Sequence, residues 1–188
     1  MPPSNLHELP EGIPAPVSDG ACDHLPGIKL PPIVLPATSG ETVGLPGLPG
    51  RTVVYCCPLT GRPGEDLPQG WDEIPGARGC TPQSCAFRDH YVELRALGTR
   101  IYGLNVQDTG YQREAAEHLH LPFELLSDES LFLIEALGFP TFGVEGMRLI
   151  RRLTLLIQDG RTEKGFYPVF PPNKNAEEGV EWLQKEAA

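Results

Sequence analysis

Residues 81–98 read TPQSCAFRDHYVELRALG, and residues 100–106 read RIYGLNV. The first stretch has the period of a helix, the second the apolar run of a strand. Phe87, Tyr91, Leu94 and Leu97 fall four, three and three residues apart, which puts them on one helical face. Pro82 sits in the first turn, where its missing N–H costs nothing, and Gly98 supplies a stop.

The same alternation extends in both directions. Upstream, RTVVYCC (51–57) is a β-branched apolar run, as expected for a strand buried on both faces. Downstream, GYQREAAEHLHL (110–121) reads as a helix, FELLSD (123–128) as a short strand and ESLFLIEALG (129–138) as a helix. RLTLLIQDG (152–160) is a strand ending in a turn, TEKGFYPVF its antiparallel partner, and NAEEGVEWLQKEAA the closing helix, capped by Asn175. Strands alternating with three-turn helices predict an α/β fold, a central mixed sheet flanked by helices on both faces.

Proline and glycine, 21 each, crowd the first 80 residues and predict irregular chain there. Residues 1–20 hold five prolines and no periodicity, the signature of an extended arm ahead of one domain over 21–188. LPPIVLPATSGETVGLPGLPG (30–50) reads as an edge hairpin around ATSGE. Residues 58–79 form a long insertion-like loop, a length that commonly has a functional reason. GFPTF (138–142) reads as an ordinary loop.

A chain of 188 residues buries a sufficient core without disulfide staples. Its net charge of −10 argues against nucleic acid or an anionic membrane as main partner. No apolar stretch approaches a membrane span, and MPPSNLHELPEG lacks the features of a signal peptide. The expectation is a soluble cytoplasmic protein, in which paired cysteines signal catalysis or metal more often than scaffolding.

There are five cysteines: Cys22, Cys56, Cys57, Cys80 and Cys85. The first three read as unreactive, with one of the Cys56–Cys57 pair pointing into the core. Cys80 differs. It lies at the start of a helix, near unpaired backbone N–H groups and the positive end of the helix dipole, with Arg78 two residues away; all favour a thiolate. Cys85 follows at i+5. On an intact helix the two Cα atoms stand roughly 8–9 Å apart, with side chains about 140° apart around the axis. Disulfides want less than about 7 Å, so any bond between these two needs the first turn to unwind. Thioredoxin-type exchange is not indicated, because C-x-x-C is absent. Zinc needs about four ligands, and no second cysteine pair joins His90, His118 and His120. His90 lies nearly three turns from Cys80, too far to serve as its base, and reads as a surface residue.

The run GCTPQSCAFRDHYVEL (79–94), continued through LGTRIYGLNVQD to RLTLLIQDGRTEKGFYPV, resembles the peroxiredoxins. More narrowly it is similar to the two-cysteine group called peroxiredoxin Q or bacterioferritin comigratory protein, over roughly residues 20–186. The resemblance implies a thioredoxin-like fold with an N-terminal extension. It makes Cys80 the peroxidatic cysteine and Cys85 the resolving one, with Arg152 over the thiolate and Arg151 as the alternative register. The group's usual threonine three residues before the reactive cysteine is replaced here by Ala77. Pro58 and Thr60 look like the expected pair, displaced by the insertion. Thr60, Gly79 and Thr81 are therefore the residues expected at the peroxide, with the amides of PGAR (75–78) as a further option. The implied activity is thiol-dependent reduction of hydrogen peroxide or organic hydroperoxides, with no cofactor or metal. A thioredoxin-like reductant and a monomeric state complete the expectation. The rivals are a one-cysteine peroxidase, a redox-switched interaction protein, and an acidic module with a structural metal.

Overall fold

A computed structural model describes residues 5–187; residues 1–4 of the expected arm and Ala188 lie outside the described residues. The central sheet has five strands, in the order β5-β4-β3-β8-β9. They are β3 (Arg51–Cys56), β4 (Thr99–Asn105), β5 (Glu124–Ser127), β8 (Leu153–Gln158) and β9 (Arg161–Phe166). β3, β4 and β5 run parallel, while β8 and β9 are antiparallel additions, so the sheet is mixed, as the element order predicts.

Alternation along β3 sends Val54 and Cys56 to one face, Val53 and Tyr55 to the other. The first face is covered by α4 (Phe132–Leu137) and by the N-terminal segment that carries Leu25, Leu30, Leu35 and Leu45. The second is covered by α1 (Cys80–Asp89), α2 (Tyr91–Ala96) and α5 (Asn175–Glu186). α3 (Thr109–His118) lies beside β5, its start capped by the Asp108 carboxylate. On the second face Tyr55 stacks on Phe87 at 4.5 Å between ring centroids, and its hydroxyl donates to Ser84 Oγ at 2.9 Å. Burying a side chain like Phe87 is worth about 1.5–3 kcal/mol. That contact and hydrogen bond pin α1 to the centre of the sheet.

The helix expected over 81–98 is two helices. His90, at φ −96° and ψ 8°, bends the chain between α1 and α2, so that Phe87 and Leu94 both reach the sheet and are fully buried. Gly98 follows with φ 71°, the conformation the stop requires. Asn175 does not cap α5; Lys174 holds the cap position and Asn175 is turned inward, fully buried.

The edge hairpin around ATSGE is present as β1 (Val34–Pro36) and β2 (Thr42–Gly44). A second hairpin, β6 (Thr141–Val144) with β7 (Met147–Ile150), stands where the sequence analysis has a loop. It has a partner in the 58–79 segment, whose Trp71 is buried against Phe142 and Leu149, with ring centroids of Trp71 and Phe142 5.9 Å apart. Each of these short elements is stabilised by the other. Residues 58–79 are therefore packed onto this hairpin.

Candidate active site

β3 ends at Cys56, and the chain then turns through Cys57–Thr60 across the start of α1. The Leu59 N–H donates to Cys80 Sγ at 3.4 Å. Cys80 is the first residue of α1, whose first backbone bond runs from the Gln83 N–H to the Gly79 carbonyl, so the Cys80 and Thr81 N–H groups lie ahead of the helical ladder. Arg152, immediately before β8, reaches across and donates from Nη2 to Cys80 Sγ at 3.4 Å. Cys80 and Arg152 are each 3% exposed, so their charges interact with little screening by water.

Arg152 is held from three further directions. Nη1 donates to Gln83 Oε1 at 2.6 Å, Nη2 to the Ala77 carbonyl at 2.8 Å, and Nε to the Gly76 carbonyl at 3.3 Å. Gln83 in turn donates from Nε2 to Asn175 Oδ1 at 3.0 Å, which also accepts from the Thr154 hydroxyl at 2.6 Å. This buried relay from β8 through α5 to α1 fixes the plane of the guanidinium. Arg151, the alternative register, turns away and stacks over Phe142.

Arg78 does not act on the sulfur. It makes two contacts with Asp72, at 2.9 and 3.0 Å, and donates to the Asn5 carbonyl at 2.8 Å. Within PGAR the Ala77 N–H is bonded to the Ile74 carbonyl, and the carbonyls of Gly76 and Ala77 accept from Arg152. Gly79 has a φ of +118°, and a Cβ there would stand 2.3 Å from Pro172 Cγ, so the turn into α1 admits only glycine.

Thr60 is buried, and its hydroxyl lies 3.9 Å from Cys57 Sγ. Its backbone is fixed by Gln107 and Tyr111. Cys57 stands next to Cys80, so the Thr60 hydroxyl and the Cys80 sulfur flank the same second cysteine. Burial raises the Cys80 pKa, but the Cys57 thiol, the Arg152 charge, the Leu59 N–H and the Arg152 hydrogen bond together bring it down to about 6. Cys57 moves the opposite way, held as a thiol by the neighbouring Cys80 and by burial. Cys85 is only half-buried, and burial raises its pKa, so it too is a thiol.

A cleft of about 10 Å³ reaches Cys80 past Leu59, Gly61, Trp71 and Thr81. It shares Leu6, Gly61 and Thr81 with a neighbouring cavity of about 270 Å³ that also takes in Pro63, Tyr111 and Leu119. The structure thus gathers Cys80, Arg152, Thr60, Gly79 and Thr81 at one point. It leaves Cys85 within α1, on the intact helix, with all five cysteines as free thiols. Sequence reasoning missed Cys57, Gln83 and Asn175. The cue for Cys57 was the strand period: with Cys56 pointing to the α4 face, the next position turns towards α1.

The redoxin family model matches residues 25–180. Among curated proteins, the chloroplastic peroxiredoxin Q of Sedum lineare is 30% identical over 159 residues, 84% of this chain and 77% of that protein. The chloroplastic peroxiredoxin Q of Gentiana triflora is also 30% identical over 159 residues, and there the match spans 66% of the relative's length. Among solved structures, the peroxidoxin BcpB of Mycobacterium tuberculosis superposes with a TM-score of 0.70 at 22% identity, covering 86% of this chain and 98% of that one. A mutant of Xylella fastidiosa PrxQ gives a TM-score of 0.70 at 18% identity, covering 88% and 99%.

Proposed function

The chain belongs to the redoxin family and, within it, to the peroxiredoxin Q group of thiol-dependent peroxidases, and we propose that Cys80 is its peroxidatic cysteine. The observation that carries the assignment is the setting of the sulfur: Cys80 is buried at the first residue of α1, with Arg152 Nη2 and the Leu59 N–H each donating to Sγ at 3.4 Å, an arrangement that draws its pKa down to about 6. Burial alone does the reverse, so the site is built to stabilise an anion that can attack an O–O bond.

The Cys80 thiolate attacks one peroxide oxygen and becomes a sulfenic acid. The other oxygen leaves as water or alcohol after taking up a proton. Arg152 and the Cys80 and Thr81 amides stabilise the charge that develops on that oxygen, acting before any solvent has to reorganise. Thr81 and Gly79 shape the mouth, and Thr60 acts through Cys57. The cavity beside the cleft, walled by Leu6, Pro63 and Leu119, suits the alkyl part of an organic hydroperoxide.

Cys85 is the resolving cysteine. The start of α1 uncoils, its thiol condenses with the Cys80 sulfenic acid, and water leaves. A dithiol reductant of the thioredoxin kind then restores both thiols. Because that disulfide forms within one chain, a monomer suffices. Five free thiols and a reductant of this kind fit a reducing compartment, and we assign the cytoplasm, whereas the plant relatives are named as chloroplastic. Among the described residues no helix is long and apolar enough to cross a membrane.

The test is stoichiometric. Reduced protein is treated with one equivalent of hydrogen peroxide and its cysteine states are mapped by peptide mass spectrometry. Oxidation starting at Cys80 is expected, and it is abolished in Cys80→Ser. An unmodified Cys80 overturns the assignment.

A further inference from the structure

Two thiols compete for the oxidised Cys80, and they stand very differently. Cys85 is half-buried and on the same helix, so it reaches Cys80 only when the first turn of α1 uncoils. Cys57 is 3% exposed and stands next to Cys80, with the N–H of Leu59, two residues further along the same turn, already bonded to the Cys80 sulfur at 3.4 Å. It sits one residue beyond β3, its N–H bonded to the Leu104 carbonyl at 3.1 Å, so its backbone is held by the sheet.

The direction of approach also fits. Peroxide arrives through the cleft bounded by Leu6, Leu59, Gly61, Trp71 and Thr81. The oxygen it leaves on Cys80 therefore points into that cleft. Cys57 is not among the residues that line the cleft.

We propose that Cys57 is a second resolving thiol, which captures the Cys80 sulfenic acid as a Cys57–Cys80 disulfide without unwinding of α1. The inference rests on Cys80 being the peroxidatic cysteine. In this step the Cys57 sulfur attacks the Cys80 sulfur, an S–S bond forms and the S–O bond breaks. The Cys57 proton leaves with the hydroxyl as water. Cys57 is oxidised to the disulfide level as the Cys80 sulfenic acid is reduced to it, so no further oxidant is needed.

Electrostatics change in the right sense during the cycle. In the reduced protein the charge of the Cys80 thiolate helps keep Cys57 protonated. Once Cys80 carries a neutral sulfenic acid, that charge is gone; burial still opposes ionisation of Cys57, while the Arg152 guanidinium and the Thr60 hydroxyl favour it. Oxidation of one cysteine thereby lowers the barrier to ionising the other. The buried disulfide shields Cys80 from a second peroxide, and thiol exchange with Cys85 passes it to the surface for the external reductant.

The experiment uses the full chain with Cys85→Ser, compared with Cys57→Ser and Cys85→Ser combined. Each reduced protein receives one equivalent of hydrogen peroxide, is blocked with N-ethylmaleimide and digested with trypsin. Cleavage at Arg51, Arg78 and Arg88 puts Cys57 and Cys80 on different peptides. The expected product of Cys85→Ser is the peptide holding Cys57 joined to the peptide holding Cys80, absent from the double variant; in a parallel pair of samples given excess peroxide, the double variant accumulates more sulfinic acid on Cys80. Equal sulfinic acid in both proteins, with no joined peptides, overturns the role of Cys57 and leaves Cys80 as peroxidatic. An unoxidised Cys80 in both overturns the two together. Joined peptides that persist in the double variant point to Cys56 and overturn the assignment to Cys57.

Discussion

Replacing Arg152 by Leu removes the fixed charge and one of the hydrogen bonds that hold the Cys80 thiolate, while the burial that opposes ionisation stays. The difference between an ordinary thiol at 9.0 and Cys80 at about 6 is worth about 4 kcal/mol in favour of the anion. Without the guanidinium the midpoint is expected to rise from about 6 towards the ordinary value, with Cys57 and the Leu59 N–H still opposing burial. Were the whole shift lost, the thiolate fraction at pH 7 would fall from about nine-tenths to about one-hundredth, so the loss of reaction rate is bounded at roughly two orders of magnitude before any effect on the peroxide is counted. Two pH profiles separate the contributions: alkylation by iodoacetamide, which reads thiolate alone, and stopped-flow consumption of hydrogen peroxide. Above pH 9 alkylation recovers in Arg152→Leu, but peroxide consumption stays depressed because the leaving oxygen has lost its donor. Arg152→Lys, which keeps a cation without the planar fork, falls between the two proteins. An alkylation midpoint still near pH 6 in Arg152→Leu would refute this account of the thiolate.

Cys80 also makes the reduced protein's stability depend on pH. Its folded pKa is depressed, so the stabilisation is present above the unfolded thiol's pKa and is lost as pH falls towards about 6; urea titrations of wild type minus Cys80→Ser should show this slope. Gly79→Ala forces a Cβ against Pro172 and Leu9 at a φ of +118°, and a fall in Tm of several degrees is expected together with slower peroxide reduction. Asn175→Ala removes the acceptor shared by Thr154 and Gln83, at a cost of about 1–3 kcal/mol in chemical denaturation. The loosened Gln83 frees Arg152, so the Cys80 alkylation midpoint rises in the same variant; unchanged alkylation would show that the relay is structural only.

The periodic parts of the chain were legible. β3, β4, β8 and the helix faces follow from spacing, Gly98 from backbone chemistry, and Cys80 from its place at a helix start. Resemblance added Arg152, which no local pattern marks. The features that escaped are contacts between segments far apart in sequence. Arg78 looked like the cation for Cys80 because it is two residues away, yet Asp72 and Asn5 hold it elsewhere. Asn175 looked like a cap because asparagine often is one, whereas Gln83, 92 residues away, draws it inward. The β6–β7 hairpin and the 58–79 segment lack strong patterns of their own, because each is completed by the other's apolar side chains.

The chain before β1 is tied to the turn that holds Cys80. The Asn5 carbonyl rests on Arg78, Leu6 and Leu9 lie beside Gly61 and Gly79, and Trp71 borders the same cleft. On the proposed cycle, uncoiling of the turn that starts α1 cannot leave these neighbours in place. The redox state of one sulfur would then be broadcast to the outside of the molecule. It should be readable as a change in Trp71 emission and as new protease sensitivity between residues 5 and 20, in an unlabelled protein and without touching a cysteine.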